Sequence, residues 1–60
     1  MANQPLLTVD EVAQRLKVHP ETVRRWIRAG ALRAIPLGPR AGYRVTEGNL
    51  QEFLDRKLAA

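Results

Sequence analysis

The chain contains neither cysteine nor serine, a single histidine, and one residue each of Trp, Tyr, Phe and Met. Without cysteine there is no disulfide staple and no thiolate metal site, and the lone His19 has no co-ligand pattern around it. No serine nucleophile exists, the acids are scattered, and no glycine-rich phosphate loop precedes a helix. Apolar runs never exceed three residues, which excludes a transmembrane helix or a signal-peptide core within these 60 residues. The expectation is a non-catalytic, cytoplasmic chain with no cofactor, no metal, no membrane partner and no small-molecule ligand. Sixty residues leave room for one domain. A chain of that size buries only ~60% of its unfolded surface, so the core must be small.

What is abundant is arginine, in one place. Between Pro20 and Val45 stand Arg24, Arg25, Arg28, Arg33, Arg40 and Arg44 against the single acid Glu21. The flanks are nearly balanced, with Asp10 and Glu11 against Arg15 and Lys17, then Glu47, Glu52 and Asp55 against Arg56 and Lys57. The net charge of +4 therefore comes from the middle of the chain. Cations confined to one stretch mark a surface for a polyanion, because each one that meets a phosphate releases a condensed counterion. A merely solvated surface would intersperse the two signs.

Local signals divide the chain into a tail over 1–7 and one domain over 8–58. Thr8-Val9-Asp10-Glu11 is a capping box, in which the Thr8 hydroxyl accepts from the Glu11 N–H and the Glu11 carboxylate accepts from the Thr8 N–H. Leu7 and Val12 occupy the two staple positions beside it. Val9, Val12, Ala13 and Leu16 then recur at helical spacing, which predicts a helix over Val9–Leu16. After the break Lys17-Val18-His19, Pro20 suits the first position of a second helix, where its missing N–H costs nothing. That helix runs to about Ala29 and stops at Gly30, with Val23, Trp26 and Ile27 on its apolar face. Ala31–Leu37 and Tyr43–Val45 then read as a β-hairpin with the five-residue tip Gly38–Gly42. Pro36 cannot donate to a ladder and must lie at an edge. Thr46 can cap a last helix, whose apolar stripe is Leu50, Phe53, Leu54 and Leu58; Gly48 weakens its first turn.

The Pro-led helix containing T-V-R-R-W-I, the A-G-A-L that follows, the G-Y-R-V hairpin and the closing L-x-x-F-L resemble one family. The chain is similar to the excisionase-type, MerR-like small winged helix-turn-helix domains over roughly Leu7 to Leu54. The resemblance implies a mainly α fold with a small β-hairpin, and double-stranded DNA as partner. It implies a non-catalytic protein of excisionase or small transcriptional regulator type, associated with the nucleoid. It further implies that the 38–42 wing reaches the adjacent minor groove or backbone.

On a helical wheel Val23, Trp26 and Ile27 share the inner side of the second helix, and Glu21, Arg25 and Arg28 lie opposite, flanked by Arg24 and Thr22. Residues near the start of a helix in the major groove come closest to base edges, and an arginine there donates twice to guanine. The base-reading candidates are therefore Glu21, Thr22 and Arg25. Glu21 has two readings: an acceptor for cytosine, or a first-turn acid favoured by the helix dipole. Arg24, Arg28 and Arg44 are candidates for phosphate contacts, which position without reading sequence. Arg40, at the wing tip, is the candidate for the minor groove, where narrow A·T tracts favour arginine. Arg33 reads as a charge that protects a strand edge. Trp26 reads as core and His19 as a turn residue. One short helix and one wing read few base pairs, and no long coiled-coil helix follows Leu58. The expectation is a monomer whose copies assemble cooperatively on adjacent sites. The alternative is an interaction module whose basic face binds an acidic protein. RNA binding is disfavoured, because paired exposed aromatics for stacking bases are missing.

Overall fold

The computed structural model describes residues 6–59. It opens with strand β1 (Leu6–Thr8), which passes directly into helix α1 (Val9–Leu16). The capping box is formed at this junction: the Glu11 N–H donates to Thr8 Oγ1 at 3.0 Å, and the Thr8 N–H donates to Glu11 Oε1 at 2.8 Å. Helix α2 (Pro20–Arg28) follows the turn. Its N-cap is His19, whose Nδ1 accepts from the Glu21 N–H at 3.0 Å. The imidazole thus takes the place of the usual capping hydroxyl and satisfies one of the free donors at the helix start.

Both helices close with one hydrogen-bond pattern. Lys17 N–H donates to Gln14 O and Val18 N–H to Ala13 O after α1; Gly30 N–H donates to Ile27 O and Ala31 N–H to Trp26 O after α2. This is the Schellman arrangement, which needs a left-handed residue just past the helix. Gly30 takes that conformation at φ 81°, and at the first site it falls to Lys17, at φ 57°.

Strands β2 (Ile35–Pro36) and β3 (Tyr43–Thr46) form the wing, and helix α3 (Glu47–Ala59) completes the chain. The sheet order is β1-β3-β2, all antiparallel, with Leu7 opposite Val45 and Pro36 opposite Tyr43. Pro36 therefore lies on an edge strand, as its missing N–H requires. At the tip, Leu37 N–H donates to Gly42 O at 2.8 Å and Gly42 N–H to Gly38 O at 3.1 Å. Thr46 ends β3 and caps α3, its Oγ1 accepting from the Asn49 N–H at 3.0 Å.

Three expectations are corrected. Leu6 and Leu7, read as the end of a tail, form β1; residues 1–5 of that tail lie outside the described residues. The first wing strand does not begin at Ala31. The N–H groups of Ala31 and Leu32 both bond Trp26 O, and the Leu32 side chain is fully buried, so this segment closes α2 and fills the core. Leu58 is not part of the apolar stripe: it is 82% exposed, because no other described element covers the last turn of α3.

The core consists of Leu7, Val9, Val12, Ala13, Val23, Leu32, Val45, Leu50 and Phe53, drawn from every helix, from strands β1 and β3, and, through Leu32, from the segment that follows α2. Trp26 is half-buried against it, with its ring centroid 4.9 Å from that of Phe53 and the planes tilted by 43°. Such a tilted pair adds about 0.5–1.5 kcal/mol to what area burial contributes. Val23 and Trp26 thus fix which side of α2 faces inward, and by exclusion which side faces solvent.

Candidate nucleic-acid interface

With Val23 fully buried and Trp26 and Ile27 half-buried, α2 presents Glu21, Arg25 and Arg28 to solvent, while Thr22 and Arg24 are half-buried at its sides. Glu21 holds two cations at once. Its Oε1 accepts from Arg24 Nη1 at 3.1 Å and its Oε2 from Arg28 Nη1 at 3.2 Å. These partners lie one and two turns along the same face. The hydrogen bond from Arg24, reinforced by Arg28, keeps the Glu21 carboxyl below the usual carboxylate range, so the group is ionised at neutral pH. Arg25 makes no ion pair among the described residues and stands free on the exposed face.

The wing approaches α2 from the side. Arg24 of α2 and Arg40 and Arg44 of the wing line one open cleft of about 340 Å³, together with Thr8, Val9 and Asp10 at the start of α1. Arg44 is braced, its Nη1 donating to Ala41 O at 2.8 Å and Tyr43 O at 3.0 Å. It stiffens the base of the tip while its remaining guanidinium donors make no bond among the described residues. Arg40 is exposed and forms no ion pair among the described residues. A second, wider groove of about 780 Å³ brings Arg28 and Arg33 together beside Pro36 and Tyr43.

The seven residues singled out from sequence thus fall into three groups. Arg24, Arg40 and Arg44 share one cleft. Arg28 joins Arg24 through Glu21. Arg25 and Thr22 stay on the helix without joining either. Sequence reading missed that Thr8 and Asp10 border the arginine cleft, and that Arg33 shares a groove with Arg28. Neither was signalled locally, since both depend on where the wing packs. The Glu21 clasp was signalled: Glu21, Arg24 and Arg28 stand at i, i+3 and i+7, neighbours on one helix face.

No buried polar or charged residue and no group of acids or histidines able to hold a metal ion occurs among the described residues. None of the described helices is long and apolar enough to cross a membrane. A Pro-led helix packed through a tight turn on its partner, with a basic two-stranded wing beside it, defines a winged helix-turn-helix protein. The chain belongs to the helix-turn-helix domain family, a small excisionase-like family of DNA-binding domains, whose model matches residues 6–58. No curated protein matches it.

Proposed function

We propose that this chain is a sequence-directed, non-catalytic binder of double-stranded DNA of excisionase or small transcriptional regulator type. Helix α2 enters the major groove with Glu21, Thr22 and Arg25 toward base edges. Arg24, Arg28 and Arg44 grip phosphates, and the tip carrying Arg40 reaches the adjacent minor groove or backbone. The observation that carries this reading is the shared cleft of Arg24 with Arg40 and Arg44, because a cation from the helix and two from the wing converge where one strand of a duplex would pass. Polar reach without a wide aromatic platform favours a stacked duplex over unpaired bases.

A single module of this size buries on the order of 600–1,000 Å² of protein surface on DNA, the low end for specific recognition. Copies therefore assemble side by side on repeated sites, each free copy being a monomer. The test is titration with duplex DNA at two salt concentrations, followed by selection of bound sites from random duplexes. A steep salt dependence with an enriched sequence supports the proposal, and indifference to DNA refutes it. Footprinting across sites of varied spacing checks assembly; a stable dimer without DNA, or tight binding to one isolated site, refutes that part.

A further inference from the structure

We propose that Glu21 sets sequence specificity by competing with DNA for Arg24 and Arg28. The proposal rests on the DNA-binding reading above and goes beyond it. Glu21 is the only acid between Pro20 and Val45, and it uses both carboxylate oxygens on two arginines of the outward face. A DNA phosphate offers the same guanidinium partners the same kind of ligand, an anionic oxygen pair. Duplex DNA can therefore recruit Arg24 and Arg28 only by taking them from Glu21. On most sequences that exchange leaves a carboxylate unpartnered against a polyanion, which opposes binding. Opposite a cytosine, the exposed N4 amino group donates to the carboxylate. The acid then keeps a partner while both arginines move to phosphates. Glu21 thus weakens binding everywhere and ceases to do so at one base, which is selection by penalty rather than by added attraction.

The geometry suits this exchange. All three side chains are substantially exposed, at 53% for Glu21, 40% for Arg24 and 61% for Arg28, so the pairs can open without disturbing the core. Arg24 already borders the cleft shared with Arg40 and Arg44, and needs only to turn from Glu21 to join them. A purely local role as a first-turn acid would require neither arginine.

The test is Glu21→Gln in the full chain, measured on random duplex DNA and on the site selected by the wild type. On random DNA, affinity rises on the order of ten-fold at low salt. The slope of log K against log salt steepens by up to about 1.8, since each further phosphate that is neutralised adds ~0.9. The ratio of specific to random affinity falls, and preference at the base pair facing residue 21 moves from cytosine toward adenine, the base that glutamine reads. Circular dichroism checks that the fold is kept. The rise on random DNA shrinks, and the steepening of the salt slope disappears, when Glu21→Gln is placed on an Arg24→Gln/Arg28→Gln background, where only the repulsion of one bare carboxylate is left to relieve. If wild type selects a sequence but Glu21→Gln leaves random-DNA affinity and slope unchanged, the competition is overturned while DNA reading stands. A rise that persists undiminished in the triple variant also overturns it, since general charge would then be the cause. Failure of the wild type to bind duplex DNA overturns both.

Discussion

Replacing Lys17 by glycine is expected to stabilise the domain, although lysine is the better helix former and glycine the looser chain. Lys17 is held at φ 57°, ψ 46° by the Schellman closure of α1. A side chain in that region costs ~1–2 kcal/mol through the clash of Cβ with the carbonyl. Glycine removes the clash but gives back ~0.5–1 kcal/mol through the freedom it adds to the unfolded chain. The difference favours Lys17→Gly by about 0.5–1 kcal/mol, or about 2–8 °C in melting temperature for a domain of this size. Lys17 is exposed, so its removal uncovers no core. The molecule supplies its own mirror experiment at α2. Gly30 stands at φ 81° in the same closure, and a Cβ added there meets nothing within 4 Å. Gly30→Ala is therefore expected to lose about 0.5–1 kcal/mol by the same conformational cost and no other. Thermal and urea unfolding followed by circular dichroism measures both, with Lys17→Ala as the control for losing the lysine side chain. Were Lys17→Gly no more stable than Lys17→Ala, with Gly30→Ala neutral, left-handed strain would not be stored at these turns and the reasoning would fail.

Arg25→Ala is expected to cost roughly 1–3 kcal/mol on the preferred site and to relax preference at one base pair; equal loss on random DNA would make Arg25 a phosphate contact. Arg40→Ala should weaken binding by about 1 kcal/mol, chiefly when A·T pairs flank the site. The same loss with G·C flanks would leave Arg40 only as a tether. Trp26→Ala should cost about 3 kcal/mol, the low end for removal of a tryptophan because the indole is half-buried, and enough to melt most of a core this small. A well-folded variant that loses DNA binding alone would put the indole on the ligand face. Glu47, bonded to Arg15 at 2.7 Å, is held below the usual carboxylate range by that hydrogen bond. Its contribution is thus present above the unfolded-state carboxylate pKa and is lost as pH falls through the lower folded value. Glu47→Gln should flatten that part of an acid-unfolding curve, and an unchanged curve would show the pair to be inert.

The features legible in the sequence were those closed within a few residues. The Thr8 capping box, the Pro20 start, the Gly30 stop and the Thr46 cap each involve groups at most five positions apart, so their chemistry is written in one short string. Strand β1 was not legible, because two leucines carry no period and their partners, Val45 and Thr46, lie far along the chain. The length of β2 was misread for a related reason. The helical period ends at Gly30, which drew Ala31 and Leu32 into the strand that follows, but their N–H groups are claimed by Trp26 O, a bond that depends on how α2 ends. The arginine stretch was plain from charge alone, whereas the meeting of Arg24 with Arg40 and Arg44 required the wing to be placed beside α2.

The two threonines that end β1 and β3 tie strand pairing to helix initiation. Thr8 and Thr46 are each the last residue of a strand and the cap of the next helix, and the strands that deliver them are paired with each other. A slip of one residue between these strands would turn Leu7 or Val45 out of the core, since side chains alternate across a sheet. It would also move one threonine out of step with the other's strand, so a misregistered sheet cannot present both helices to a common core. Partial structures are thereby denied their own stability: neither helix has a well-placed start until the sheet is right, and the sheet has no cover until the helices form. Folding of this domain should accordingly be all-or-none, with coincident transitions for helix signal and tryptophan fluorescence.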